Sequence, residues 1–189
     1  IILGIIQGLT EFLPVSSSGH LEIAKILLDF KEANTFFSIL LHGATLIAVC
    51  IAFRQRIRDI IFSLIRFVTR KTEKEDKLNL RLFLLLCTAT AATVCIAVFI
   101  KVVDSPLFIH PKVIGSCFLM TGIILVVSHF FKGDRDYRRF GFIRSFIIGI
   151  AQGIGIFPGI SRSGITITTA LGAGMSREKA GEFSFLLSI

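Results

Sequence analysis

Aromatic residues with a polar edge are almost missing from this sequence, which has no tryptophan and one tyrosine beside 19 phenylalanines. Trp and Tyr usually mark the two interfaces of a bilayer, so that marker is weak here. Proline is scarce, with four residues, and charged residues make up only 18% of the chain, against about 25% in an average soluble protein. With 53% hydrophobic residues and a mean hydropathy of +0.78, this composition predicts an integral membrane protein.

Charge and cysteine usage narrow the class further. Twenty-one Lys and Arg stand against 13 Asp and Glu, a net charge of +8. The basic residues concentrate in 54–81 and 132–144, beside apolar stretches, as they do in cytoplasmic loops of membrane proteins, and this distribution argues against nucleic acid as a partner. The cysteines lie in apolar stretches at spacings that indicate neither a metal motif nor a disulfide framework: Cys50, Cys87, Cys95 and Cys117.

Three apolar runs are long enough to suggest membrane-spanning helices, near 36–53, 82–103 and 113–131. The segment 54–81 holds nine Lys and Arg against four Asp and Glu, and we expect it in the cytoplasm. The short connection at 104–112 is then outside, and 132–144 returns the chain to the cytoplasm.

Two stretches repeat the same order of residues. QGLTEFLPVSSSGH at 7–20 and QGIGIFPGISRSG at 152–164 each run from Gln-Gly through Phe and Pro to a serine cluster and a Gly, with the Gln twelve positions before that last Gly in both. Each interrupts an apolar helix, which predicts helix–break–helix hairpins at 1–29 and 142–173. Interrupted apolar segments in matching places of two halves indicate a binding site at a repeat interface.

The predicted architecture is therefore an all-α membrane helix bundle with two re-entrant hairpins, forming a single domain over 1–189. One repeat unit covers 1–131, and a second begins at 142 and includes the start of a further span near Arg177. Three spans, an odd number, separate the hairpins, so the second is inverted relative to the first and the two breaks can meet within the bilayer. Because the sequence stops inside an apolar run, we expect a chain truncated at its C-terminus.

Arg162 most needs an explanation, since an arginine at membrane depth is costly without a partner. Ser161 and Ser163 flank it. A planar guanidinium binds two phosphate oxygens at once, and serine hydroxyls and free N–H groups at a helix start add donors. We therefore interpret 158–166 as an anion-binding break. Two alternatives stay open here: Arg162 extends to a lipid headgroup, or it pairs with a structural acid.

Glu11 is the charged residue of the first repeated stretch. A carboxylate in a membrane needs a cation, a proton or a hydrogen-bond network, so Glu11 could bind a divalent metal ion beside phosphate, pair with Arg162, or act as a general base. His20 follows Ser17 by three positions across a predicted helix start, a spacing suited to proton transfer. Gln7 contributes a hydrogen-bonding amide four positions before Glu11.

These groups suit phosphoryl transfer, where catalysis consists mostly of positioning and charge neutralisation. On the residues alone, a transporter that binds a phosphate-bearing substrate fits nearly as well. A structural membrane subunit explains the apolar spans but not the paired breaks. The remaining histidines have no comparable neighbours in sequence and receive no role: His42, His110 and His129.

The two stretches, together with GEFSFLL at 181–187, resemble the bacterial undecaprenyl-diphosphate phosphatases, also called bacitracin-resistance proteins. The resemblance runs through essentially the whole chain in order. It implies a bundle with two re-entrant hairpins in an inverted repeat. It also implies a hydrolase that converts undecaprenyl diphosphate to undecaprenyl phosphate and phosphate, which recycles the lipid carrier of peptidoglycan synthesis. Bacitracin sequesters that same diphosphate. A lipid-phosphate transporter or flippase of the same architecture is the alternative.

Residue roles follow from the same resemblance, position by position. It implies four catalytic residues, with Glu11 as the essential acid, Ser17 as nucleophile or phosphate contact, His20 as acid–base residue and Arg162 as the pyrophosphate-binding arginine. It also implies a set of substrate contacts: Gln7, Ser16, Gly159, Ser161, Ser163 and Thr166. Many members of the family have a second glutamate at the position of Gln7, so a bound cation would rely here more on Glu11 and the substrate.

The implied cofactor is a divalent cation, Mg²⁺ or Ca²⁺, shared between Glu11 and phosphate oxygens. The implied partners are a polyprenyl diphosphate lipid and membrane lipids, and a homodimer is compatible with the sequence. The implied location is the bacterial plasma membrane, in several passes. We expect the reaction on the outer side because the first hairpin opens there.

Overall fold

The computed structural model describes residues 1–28, 35–103 and 110–189. Within these ranges the chain forms nine α-helices, one turn of 3-10 helix at Tyr137–Arg139 and one isolated bridge between Arg135 and Met175. The helices are, in chain order, α1 (Ile2–Phe12), α2 (Ser17–Leu27), α3 (Thr35–Ala52), α4 (Arg54–Val68), α5 (Asp76–Val103), α6 (Pro111–Phe130), α7 (Phe142–Ile154), α8 (Arg162–Gly172) and α9 (Arg177–Leu186).

The all-helical prediction is confirmed over the described ranges, and both repeated stretches form a helix, a break and a second helix, as α1–α2 and α7–α8. The predicted end of the first hairpin, at residue 29, and residues 104–109 of the predicted outer connection lie outside the described residues.

Among the described helices, α5 and α6 are long and apolar enough to cross a membrane. The third predicted span, 36–53, meets that standard only together with α4, from which α3 is bent by 73°. These properties are those of a membrane protein, as the composition predicted.

Helix α5 begins at Asp76, six residues before the predicted start of the span at residue 82. Asp76 is buried there and accepts hydrogen bonds from the Glu73 backbone N–H at 2.8 Å and from the Ser63 hydroxyl at 2.7 Å. Arg66 lies 3.3 Å from the same carboxylate. Contacts with α4 therefore stabilise a polar first turn that hydropathy alone does not reveal.

The main core contains buried residues of α5, α7, α8 and α9, in which α5 packs against α7, α7 against α8 and α8 against α9. Helices α5 and α7 approach so closely that a Cβ atom at Gly149 would collide with the Ala89 carbonyl oxygen. Two hydroxyls join the helices, since Ser145 Oγ donates to the Leu85 carbonyl at 2.5 Å and Thr93 Oγ1 to the Gly149 carbonyl at 2.9 Å. Small and hydroxyl-bearing residues are typical of such close contacts between membrane helices. They hold α7, and with it the second break, against α5.

The first hairpin packs in a separate, smaller cluster. Leu3, Leu21 and Ala24 are buried together, and Leu41 of α3 packs against them. The α1–α2 hairpin is thus attached through α3, whereas the α7–α8 hairpin is attached through α5 and α6. The two hairpins meet at and beside their breaks, where Gly19 approaches Gly159.

A cluster of charges near one end of the bundle joins α4 to α9. Glu182 lies 2.6 Å from Arg56 Nε and 2.9 Å from Lys179 Nζ. Both cations also face the Tyr137 ring. Burial, together with the charge of Glu182, raises the pKa of the Tyr137 hydroxyl well above its ordinary value, so this hydroxyl stays protonated and donates to the Lys179 carbonyl. Glu182, from the third stretch that resembles the family, therefore has a structural role in this region.

Candidate active site

The second helix of each hairpin begins in the same way. Ser16 caps α2 by accepting a hydrogen bond from the Gly19 N–H at 3.4 Å, and Ser161 caps α8 by accepting one from the Gly164 N–H at 3.0 Å. Serine is favoured there because its side chain satisfies an N–H group that has no partner inside the helix. Ser16 has a φ of 68°, in the left-handed region, which costs energy for a residue with a side chain. The repeated stretches therefore place two helix N-termini at the breaks.

The two breaks touch through glycines. A Cβ atom at Gly19 would lie 2.9 Å from the Gly159 Cα, closer than side chains approach a backbone. Gly159 itself has a φ of +97°, a conformation that residues with side chains rarely adopt. Glycine at both positions therefore lets the first and second hairpins come into direct contact.

Glu11 and Arg162 face each other at this contact, although 151 positions separate them in the chain. Arg162 Nη2 donates to Glu11 Oε1 at 2.9 Å. The Glu11 side chain is 15% exposed and that of Arg162 42% exposed, so the guanidinium stays accessible from the adjoining cavity. The sequence left a metal ion, Arg162 or a general-base role open for Glu11, and in the structure Glu11 pairs with Arg162.

The other oxygen of Glu11 receives two donors from the first hairpin. Ser17 Oγ donates to Glu11 Oε2, and Gln7 Nε2 donates to the same atom at 3.0 Å. Ser17 is the first residue of α2 and Arg162 is the first residue of α8, so equivalent positions of the two hairpins contact one carboxylate. A hydroxyl paired with a carboxylate is the arrangement of a nucleophile with its base.

A cavity of about 220 Å³ lies between the breaks. Six residues indicated by the sequence line it: Glu11, Ser16, Ser17, Ser161, Arg162 and Ser163. The other lining residues are Thr10, Ser18, His42, Gly155, Ile156 and Ile160. The cavity thus combines a guanidinium, a carboxylate, serine hydroxyls and two helix N-termini, which are groups that bind phosphate.

Two of the predicted substrate contacts, Gln7 and Thr166, are buried and do not line the cavity. Gln7 is buried, and its amide contacts the Thr45 hydroxyl of α3 at 3.4 Å in addition to Glu11. Thr166 is buried in α8, where its hydroxyl donates to the Arg162 carbonyl at 2.9 Å. The predicted contact Gly159 forms the glycine contact between the hairpins and is also absent from the cavity lining. These residues support those that line the cavity.

His20 is oriented by its own helix. Its Nδ1 lies 2.8 Å from the Ser16 carbonyl oxygen, and its ring meets Phe118 edge-on at 4.9 Å between ring centroids. A carbonyl oxygen only accepts, so Nδ1 carries the proton in this contact. The described residues that line the cavity do not include His20, and its acid–base role stays a prediction.

His42, which received no role from the sequence, lines the cavity from α3. Its Nε2 lies 3.9 Å from Glu11 Oε2, and its Nδ1 lies 2.9 Å from the Ser38 carbonyl. The signal available in the sequence was a histidine inside an apolar span with Thr45 three positions later on the same helix face, which by itself indicates a site inside the membrane.

A second cavity of about 430 Å³ continues from the first and shares Glu11, His42 and Arg162 with it. Apolar side chains of α3 dominate its remaining wall: Ile39, Leu46 and Val49. A polar compartment that opens into an apolar one suits a ligand with a charged head and a hydrocarbon chain.

The residues present set limits on a divalent cation. No group of three His, Cys, Asp or Glu side chains that could hold a metal ion occurs within residues 1–28, 35–103 and 110–189. Mg²⁺ is often held by one or two carboxylates together with substrate phosphates and water. Glu11 fits that pattern, so an ion shared between protein and substrate is compatible with this site.

Comparisons with known proteins agree along the whole chain. The family profile Bacitracin resistance protein BacA matches residues 1–189. An undecaprenyl-diphosphatase of Treponema denticola is 47% identical over 189 residues, which cover 100% of this chain and 70% of that protein. Those of Korarchaeum cryptofilum and Borreliella burgdorferi are each 41% identical, over 100% and 98% of this chain and 71% and 69% of the relative. This chain therefore belongs to the bacitracin resistance protein BacA family.

Proposed function

We propose that this protein is an undecaprenyl-diphosphatase, which hydrolyses the lipid diphosphate to undecaprenyl phosphate and inorganic phosphate. The observation that carries the proposal is Glu11, whose two oxygens contact Arg162 and Ser17 at a cavity that opens into an apolar compartment. The names of the relatives support the same reaction. In a membrane, this activity regenerates undecaprenyl phosphate, the lipid carrier of peptidoglycan synthesis.

The substrate fits the two cavities in one orientation. Its terminal phosphate lies against Arg162 and the N-termini of α2 and α8, where a guanidinium and free N–H groups stabilise negative charge. The hydrocarbon chain extends along the α3 side of the larger cavity. Contacts made before the reaction position the terminal phosphorus near Ser17, and such positioning supplies a large part of the rate enhancement of phosphoryl transfer.

We assign the attack to Ser17 because its hydroxyl already donates to Glu11. Glu11 takes the hydroxyl proton while Oγ bonds to the terminal phosphorus. The bond from that phosphorus to the bridging oxygen breaks, and undecaprenyl phosphate leaves with the electron pair. Water then cleaves the phosphoserine and releases inorganic phosphate. Direct attack by water held at Glu11 is the competing route, and it differs by forming no phosphoserine.

Phosphate release tests the function. The purified protein in detergent, given a polyprenyl diphosphate, is expected to release inorganic phosphate and polyprenyl monophosphate in equal amounts. A transporter of the same architecture would return the diphosphate intact, so a purified, folded protein that releases no phosphate contradicts the proposal. The inverted arrangement of helices common among transporters makes this control necessary.

A divalent cation, Mg²⁺ or Ca²⁺, is part of the proposal, with Glu11 and phosphate oxygens as its ligands. When bound, it neutralises charge on the phosphates. Removing divalent cations with EDTA is expected to reduce phosphate release at least tenfold, and added Mg²⁺ or Ca²⁺ to restore it. Gln7→Glu places a second carboxylate beside Glu11 and should lower the cation concentration needed for half-maximal rate. Full activity in EDTA would contradict the role of the cation.

We also propose that the hairpins are re-entrant and form an inverted repeat. The matched caps at Ser16 and Ser161 support this arrangement. So do the matched amides, because Gln7 contacts Thr45 of α3 at 3.4 Å and Gln152 contacts Thr93 of α5 at 3.3 Å. On this arrangement the protein lies in the plasma membrane with its reaction on the outer side.

A further inference from the structure

One face of α6 contacts both breaks. Ile114, Cys117, Phe118 and Thr121 follow one another at intervals of three, one and three residues, which places them on a single side of the helix. Ile114, Cys117 and Thr121 are buried. The proposed mechanism gives this face no role, although the part of the chain that carries Arg162 rests on it.

The second break lies directly on the backbone of this helix. A Cβ atom at Gly159 would come within 2.6 Å of the Ile114 carbonyl oxygen and 2.7 Å of the Cys117 Cβ. The same face also contacts the first break, since a Cβ atom at Gly19 would lie 2.6 Å from Phe118 Cζ. Both breaks therefore pack against the same face of α6, which fixes their positions relative to each other.

Thr121 makes the polar contact in this packing. Its hydroxyl donates to the Gly159 carbonyl at 2.8 Å and accepts from the Ser161 N–H at 3.0 Å. One hydroxyl can do both because it has one proton and free lone pairs. Only 4% of Thr121 is exposed, so water is not available to replace either hydrogen bond. Losing the hydroxyl would leave a buried N–H group and a buried carbonyl without this partner, which is unfavourable.

The bonded N–H group belongs to the residue just before Arg162. Ser161 caps α8, and Arg162 is the first residue of that helix. The hydrogen bond from the Ser161 N–H to Thr121 therefore fixes the backbone position from which the Arg162 side chain extends. Arg162 reaches Glu11 across a single hydrogen bond of 2.9 Å. A shift of the break by about 1 Å would misplace the phosphate-binding group, and misplacements of that size reduce catalysis by roughly a hundredfold.

We propose that Thr121 is a positioning residue for this reaction, which holds the second break so that Arg162 binds the terminal phosphate. The proposal rests on the phosphatase function argued above. Thr121 lines neither cavity beside Glu11, and it acts only through Gly159 and Ser161.

Three variants of Thr121 test the proposal. Thr121→Val keeps the shape and removes the hydroxyl, so kcat is expected to fall between tenfold and a hundredfold. Thr121→Ser keeps the hydroxyl and should stay within about threefold of the unchanged protein. Thr121→Ala removes hydroxyl and bulk, and it replaces Thr121→Val if that variant fails to fold. Thr168→Val is the matched control, since its hydroxyl also joins α8 to α6, at 3.4 Å from the Ile124 carbonyl, but away from the break.

Hydrogen exchange gives a readout that does not depend on activity. In Thr121→Val, and in Thr121→Ala, the peptide covering 158–163 should exchange faster than in the unchanged protein, while Thr121→Ser and Thr168→Val leave it unchanged. Normal turnover or normal exchange in the two variants without the hydroxyl overturns the proposal, as does a loss in Thr121→Ser equal to that in Thr121→Val. If the unchanged protein releases no phosphate, the function fails, and the exchange measurement alone decides whether Thr121 holds the break.

Discussion

Arg162→Lys is expected to lower kcat/KM for a polyprenyl diphosphate by on the order of a hundredfold, with KM raised and kcat reduced. The charge is kept, but an ammonium group cannot bind two phosphate oxygens in the fixed plane of a guanidinium. Arg162 also holds Glu11 Oε1 at 2.9 Å, and lysine at the start of α8 would make that contact with less defined geometry. Steady-state kinetics of phosphate release in detergent measures both parameters.

Arg177→Lys is the matched control for this experiment. Arg177 is the first residue of α9, as Arg162 is of α8, but it does not line either cavity beside Glu11. Its replacement should leave kcat/KM within about twofold. Near-normal turnover by Arg162→Lys, with the protein intact by size-exclusion chromatography, would show that a point charge suffices and would contradict bidentate binding.

At saturating Mg²⁺, Glu11→Gln is expected to reduce kcat by roughly a thousandfold, with a much smaller change in KM. The substitution keeps the size of the side chain but removes the group that accepts the Ser17 proton. It also frees Arg162 from its ion pair, which favours phosphate binding, but it removes the carboxylate ligand of the proposed cation, which opposes it. The main effect of Arg162→Lys is thus on phosphate binding and orientation, whereas that of Glu11→Gln is on kcat. Single-turnover measurements separate the chemical step from binding.

A carboxylate outside the site controls for the loss of charge. Glu178 is exposed at the start of α9, and Glu178→Gln should leave the rate unchanged. If Glu11→Gln retains kcat within tenfold, Glu11 does not act as the base, and water or another group must accept the proton. If Glu178→Gln lowered kcat equally, the loss would come from the change in the net charge of the protein and not from the role of Glu11.

Much of the fold followed from local features of the sequence. Apolar runs located α5 and α6, and the Gly, Pro and Ser clusters located the breaks before α2 and α8. The start of α5 was placed too late, because its polar first turn depends on Asp76 contacts with Ser63 and Arg66. Those partners lie 13 and 10 positions away on another helix, so the hydrophobic periodicity of the span itself does not indicate these contacts.

The site was predicted in part for a similar reason. Six of the indicated residues line the cavity, since charge and hydroxyls concentrated in an interrupted apolar segment have few purposes other than a site. His42 and Thr121 were missed because each lies in an apolar helix outside the two repeated stretches. His20 was given weight for its spacing to Ser17, yet its ring bonds back to the Ser16 carbonyl in its own helix.

Hydropathy and helix capping are properties of short segments, so the membrane class, most helices and the two breaks where polar groups concentrate can be predicted from the amino-acid sequence. Tertiary packing brings Arg162 and Ser17 to opposite oxygens of Glu11 and places Thr121 of α6 against the second break. Contacts between residues up to 151 positions apart depend on how helices pack, and packing is settled by the shapes of side chains from several segments at once.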